Sequence, residues 1–112
     1  MNYESVAGGY REIASANKPT FGQTMTELAS KWSDLSSDEK KRAVIFINGY
    51  ILYPSREAAF NFGAVVSVSN GIQNVVASSG KYAGVVFSTS GTVTYTDYSS
   101  TTGNEAVLAV RN

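Results

Sequence analysis

Cysteine and histidine are absent from this chain of 112 residues. With them go disulfide staples, thiol nucleophiles, imidazole bases and the usual protein ligands of zinc, copper and haem. Net charge is absent as well: nine Lys and Arg balance nine Asp and Glu, so no whole-molecule field gathers DNA, RNA or an anionic membrane. No window approaches the ~20 apolar residues of a membrane-spanning helix, and the opening MNYESVAGGYREIASANK lacks the basic segment and apolar core of a secretory leader. Neither GxxxxGK nor GxGxxG occurs, and the glycines read as turn formers. These absences lead to the expectation of a soluble protein with no cofactor, no metal and no catalytic machinery.

What is present is enough apolar surface to fold. Hydrophobic residues make up 43% of the chain and charged residues 16%, a balance that belongs to packed domains rather than disordered ones. The charge is unevenly placed. Fourteen of the eighteen charged residues precede Ala58, whereas residues 64–112 hold Lys81, Asp97, Glu105 and Arg111 together with fourteen Ser and Thr. This partition predicts an α+β fold, an N-terminal helical hairpin followed by a small antiparallel β-sheet or half-sandwich. Residues 1–63 form an arm and the helical hairpin, and residues 64–112 the β module, the two being separate units or parts of one continuous domain.

Residues 1–18 carry Val6, Tyr10, Ile13 and Ala14 at helical spacing, interrupted by Gly8-Gly9, and read as an arm or short helix. Thr24 and Glu27 have capping-box spacing, with Met25, Leu28, Ala29, Trp32 and Leu35 following on one face, which predicts a helix over 24–34. Ser36 and Glu39 repeat that spacing and start a second helix through Lys40, Lys41 and Arg42 toward Ile47, with Ala43, Val44 and Ile47 packing on Trp32. A short third helix over 56–62 carries Ala59 and Phe60 inward. From residue 64 the texture changes to short strands, with Asn70-Gly71 as a hairpin turn. A second hairpin follows, in which Val85, Val86 and Phe87 lead through Thr89, Ser90 and Gly91 into the alternation of residues 92–98, and a last strand spans 106–111.

Few residues offer chemistry. Asp97 and Glu105 are the acids of the β half, but nothing in their spacing makes the carboxyls converge as acid–base catalysis needs. The Ser and Thr clusters have no activating partner, Lys81 being the lysine of that half. Lys40-Lys41-Arg42 beside Trp32 is a candidate nucleic-acid patch, opposed by the neighbouring Asp34, Asp38 and Glu39. Tyr82, Tyr95 and Tyr98 read as a sugar-binding platform or as ordinary strand packing. Between residues 64 and 112 there is no proline and little charge to blunt the sheet edges. Val85, Phe87, Val93 and Tyr95 are therefore the candidate interface for self-association or for insertion into a partner.

The string LASKWSDLSSDEKKRAV followed by INGYILYPSREAAFNF resembles the helical repeat of phage tail tape-measure proteins over about forty residues, 24–62. Its KWxxLSxxEK core is also similar to the middle of an HMG box, but the basic N-terminal strand and long third helix of that family are missing. The C-terminal half, with NG, SGKY, SGT and the final LAVRN, resembles the small β modules of phage spike-base, head-fibre and decoration proteins. These resemblances imply a virion protein, assembled in the host cytoplasm, that acts by contact with copies of itself and other virion proteins. A trimer is the implied oligomer, and no catalytic residue carries over. The alternative is a small regulator that binds nucleic acid through Lys40, Lys41 and Arg42.

Overall fold

The computed structural model describes residues 9–47, 50–62, 66–69, 72–76, 82–87, 93–96 and 104–112. Strand β1 (Tyr10–Asn17) leads to helix α1 (Phe21–Trp32) and the single-turn α2 (Ser37–Lys40). Strands β2 (Ala43–Ile47) and β3 (Tyr50–Leu52) and helix α3 (Arg56–Asn61) follow. The remaining strands are β4 (Val66–Ser69), β5 (Ile72–Val76), β6 (Tyr82–Phe87), β7 (Val93–Thr96) and β8 (Glu105–Arg111). They make two four-stranded antiparallel sheets, in the orders β1-β8-β2-β3 and β4-β5-β6-β7.

The expected N-terminal helical hairpin does not form. The first described element is a strand, and the second half of the supposed hairpin, residues 43–47, is strand β2. Capping by Ser36 is present, with the Glu39 N–H donating to Ser36 Oγ and the Ser36 N–H to the Glu39 carboxylate. The helix it starts nevertheless stops at Lys40. The next five residues, AVIFI, are all fully or almost fully buried. A run that is apolar on every side suits a strand covered on both faces, and its β-branched residues favour that choice over a helix.

The second correction concerns β8. The sequence places it in the C-terminal sheet; instead it is a central strand of the N-terminal one, pairing β1 from Tyr10↔Arg111 to Asn17↔Glu105 and β2 from Ala43↔Val110 to Ile47↔Ala106. Its inner residues Ala106 to Val110 are buried. The local hairpins hold: Ser69 pairs Ile72 across the Asn70-Gly71 position, and Phe87 pairs Val93 across 88–92, the turns themselves lying outside the described residues.

The first sheet is covered on both sides. On one face Ala43, Ile45, Ile47, Ala106, Leu108 and Val110 meet Phe21, Met25, Leu28, Ala29 and Trp32 of α1, together with Val85 and Phe87 of β6. On the other, Val44, Phe46 and Ala109 meet Tyr53 and the Ala58 and Ala59 of α3, with Tyr10, Ile51 and Phe62 at the margin. Trp32 is thus buried, but between α1 and β6 rather than between two helices. Its ring stands edge-on to Phe87, with centroids 5.7 Å apart. A backbone bond from the Phe87 N–H to the Pro54 carbonyl, 3.0 Å, ties the second sheet to the end of β3.

Helix α1 starts earlier than the spacing of Thr24 and Glu27 predicts. Its N-cap is Thr20, whose hydroxyl accepts from the Gln23 N–H at 3.1 Å while the Gln23 side chain accepts from the Thr20 N–H. Thr24 is instead fully buried: its hydroxyl accepts from the Lys18 N–H and donates to the Thr20 carbonyl, both at 3.1 Å.

Candidate functional site

The basic run Lys40-Lys41-Arg42 is placed by the cap of α2 and the turn into β2, and two of its three cations are committed within the chain. The Lys40 ammonium lies 4.9 Å from the centroid of the Trp32 ring, a cation–π contact. The Arg42 guanidinium forms an ion pair with Asp38 at 2.9 Å and donates to the Arg111 carbonyl, while the Arg42 carbonyl accepts from the Arg111 N–H. Glu39 pairs with Arg11. Hydrogen bonds from the Ser36 backbone and hydroxyl, and then the Arg11 guanidinium, hold the Glu39 carboxyl below its ordinary value. Lys40 and Arg42 therefore tie α1, α2 and β8 together within the chain, leaving Lys41 exposed.

Two of the four candidate interface residues are internal. Val85 is fully buried and Phe87 is 3% exposed, both in the core under α1, and Val93 is half-buried against the same core. Tyr95 is placed by its backbone opposite Val85 in β7, and its side chain lies outside the described residues. The hairpin surface proposed for a second chain is thus largely covered by this chain's own helix. Glu105 is exposed at the start of β8, whereas Asp97, Lys81 and Tyr98, and the side chain of Tyr82, lie outside the described residues. Among the described residues no group of three acids could hold a metal, and no helix is long and apolar enough to cross a membrane.

Among the described residues two depressions stand out. An open groove of about 710 Å³ runs along the outer face of α1, lined by Lys18, Gly22, Gln23, Thr26, Glu27 and Ser30 and closed by Val93 of β7. Its polar groups are largely satisfied locally: Lys18 pairs with Glu27 at 3.7 Å, Thr26 Oγ1 donates to the Gly22 carbonyl and Ser30 Oγ to the Glu27 carbonyl.

The smaller hollow, about 320 Å³, is lined by Lys41, Glu57, Phe60 and Asn61. Phe60 is 77% exposed and is the exposed large hydrophobic residue among those described. The expected inward placement of Phe60 beside Ala59 does not hold: the helix turns the ring out. At 100° per residue, Ala58, Ala59 and Phe62 share one face of α3, and Glu57, Phe60 and Asn61 share the opposite one. Two buried alanines and a half-buried Phe62 fill the space over Phe46 and Tyr53, so the wheel had a signal that pairwise spacing missed.

The Phe60 surface is held still from both ends. Ser55 caps α3 by accepting from the Ala58 N–H at 3.1 Å and also donates to the Lys40 carbonyl at 3.4 Å. At the far end Asn61 Nδ2 donates to the Lys41 carbonyl at 3.0 Å. A short helix is thereby locked to the α2–β2 turn that carries Lys41. Beneath it, Tyr10, Phe46, Tyr53 and Phe62 pack ring to ring, and the Arg111 guanidinium lies 4.5 Å from the Phe62 centroid. Burial raises the pKa of both Tyr10 and Tyr53.

Compared with family models, curated proteins and solved structures, the chain gives no significant match in any of the three.

Proposed function

We propose that this chain is a structural component of a phage particle, head, spike-base or tail-associated, that works by docking on neighbouring virion proteins. The observation that supports a docking role is Phe60, an exposed ring on a helix whose two ends are fixed by Ser55 and Asn61. A partner that covers a phenyl ring gains about 1.5–3 kcal/mol from its burial, and a preformed surface loses little conformational entropy in being covered. Lys41 and Glu57 beside the ring supply the polar rim that a docking surface needs to remain soluble when free. The phage assignment rests on the Gly-punctuated strands of the C-terminal half, NG, SGKY and SGT, and their likeness to spike-base, head-fibre and decoration modules. The tape-measure resemblance contributes less, because it implies a helix where β2 lies.

The test is incorporation. Particles grown with the wild-type gene should contain the chain by mass spectrometry, and particles carrying Phe60→Ser should lack it while the purified variant keeps its circular dichroism spectrum. Uptake of Phe60→Ser at the wild-type level would refute the docking role of this surface, and absence of the wild-type chain from particles would refute the virion assignment.

A further inference from the structure

We infer that β2 is a recognition segment for a chaperone, held in extended form on the unfinished chain until β8 arrives to pair with it. The run AVIFI is buried on every side in the folded protein, and what buries it comes late. Strand β2 pairs with β3 and β8, and 58 residues separate Ile47 from Glu105, the first residue of β8. Among the described residues β1 pairs with β8 alone. Without β8 the first sheet is therefore reduced to a β2–β3 hairpin of three residue pairs, which is at best marginal in water. Helix α1, the cover over one face of β2, lies mainly across β1 and β8, so it too lacks its platform. The second sheet differs: β4, β5, β6 and β7 pair with their neighbours in sequence and can form as they are made.

The run left open has the composition of an aggregating strand. Residues 43–52, AVIFINGYIL, contain no charge and no proline and are rich in β-branched and aromatic side chains. At roughly 5–20 residues per second, synthesis leaves the run without its partner strand for several seconds, during which two chains can pair edge to edge. An extended apolar segment is best met by a groove that holds its backbone as a strand and takes alternate side chains in pockets. Lys40, Lys41 and Arg42 stand directly before the run, and acidic groups at the mouth of the groove complement them. In the folded protein Arg42 is bonded to Arg111 at the end of β8. Arrival of β8 thus takes up the backbone of β2 and part of its basic flank together, which displaces the chaperone. This inference is independent of the docking role of Phe60.

The test is refolding of the full chain from urea by dilution, with and without a purified ATP-dependent chaperone that clamps extended apolar peptides. Alone, the chain should scatter light increasingly as its concentration rises through the micromolar range. The chaperone should suppress that scattering, and hydrogen exchange of the complex should show residues 43–47 protected. A synthetic peptide of residues 38–52 should compete for the chaperone, and the same peptide with Ile45→Ser and Phe46→Ser should compete at least about tenfold more weakly. Proline cannot take its place in a central strand, so the full-length Leu108→Pro variant should stay bound with the same footprint after ATP is added, whereas wild type is released and folds. Complete refolding of wild type without scattering or chaperone overturns the inference. So does protection that falls outside residues 43–47, equal competition by the two peptides, or release and folding of Leu108→Pro.

Discussion

Replacing Trp32 probes the junction of the two sheets and separates the effects of size and polarity at one site. The ring is 5% exposed, edge-on to Phe87 at 5.7 Å and under the Lys40 ammonium at 4.9 Å. Its indole Nε1 is buried with no hydrogen-bond partner among the described residues. Trp32→Ala deletes the whole ring and should cost about 3–5 kcal/mol, lost transfer energy plus the cavity left between α1 and β6. Trp32→Phe deletes two ring carbons, roughly 1.6 kcal/mol at about 0.8 kcal/mol per buried carbon group. It also removes the orphaned N–H, whose burial costs about 1–3 kcal/mol. The two effects oppose each other, and Trp32→Phe should be within about 1 kcal/mol of wild type. Because Trp32 is the single tryptophan of the chain, unfolding has to be followed by far-ultraviolet circular dichroism in urea rather than by fluorescence. Equal m-values license the comparison of midpoints. A Trp32→Phe variant as damaged as Trp32→Ala would refute the orphaned donor, and a Trp32→Ala variant within about 1 kcal/mol of wild type would refute the packing itself.

Three other outcomes follow from the same geometry. Thr20→Ala removes the capping hydroxyl of α1 and should lower stability by about 1 kcal/mol, whereas Thr24→Val leaves the Lys18 N–H without its acceptor and should cost about 1–3 kcal/mol, both read from urea midpoints. Glu39 has a folded pKa held below the ordinary 4.5, so its contribution is complete above that pH and lost as pH falls through the lower folded value. Glu39→Gln should therefore flatten the acid limb of stability against pH, and an unchanged acid limb would show that its hydrogen bonds to Ser36 do not persist in solution. Tyr53 is held above its ordinary 10.0 by burial and then by neighbouring Tyr10. Its contribution is therefore complete below pH 10.0 and disappears as pH rises through the raised folded value. Tyr53→Phe should give a shallower alkaline loss of stability.

The candidate site shows where reading the chain by pairs of residues fails. Val85, Phe87 and Val93 were legible as the apolar side of a hairpin, and that is what they are. Alternation identifies the apolar side without naming what covers it, and the cover is α1, from another part of the chain. Lys40, Lys41 and Arg42 were legible as a basic run on a capped turn. Their partners Trp32, Asp38 and Arg111 come from three different segments, and only folding brings the β8 end beside them. Phe60 departs from expectation for a local reason: spacing from Ala59 alone does not define a face, and the full turn of α3 puts Phe60 with Glu57 and Asn61.

By itself the amino-acid sequence determined what is local in this protein. The Ser36 capping box, the amphipathic stripe from Met25 to Trp32, the two hairpins of the C-terminal half and the strand character of residues 106–111 all follow from interactions among near neighbours. The exclusion of thiol and imidazole chemistry follows from composition alone. Tertiary structure decided the rest. In β1 a bulge between Glu12 and Ala14 turns both Ile13 and Ala14 toward the core, which breaks the two-residue period and imitates a helix. In β2 the run AVIFI carries no period at all, because α1 covers one face and α3 the other. That the last strand of the chain lies between β1 and β2 is likewise invisible locally. Its two neighbours lie at least 58 residues away in sequence, from Ile47 to Glu105, and the pairing is chosen by the burial of both faces of one sheet rather than by any signal within the strand.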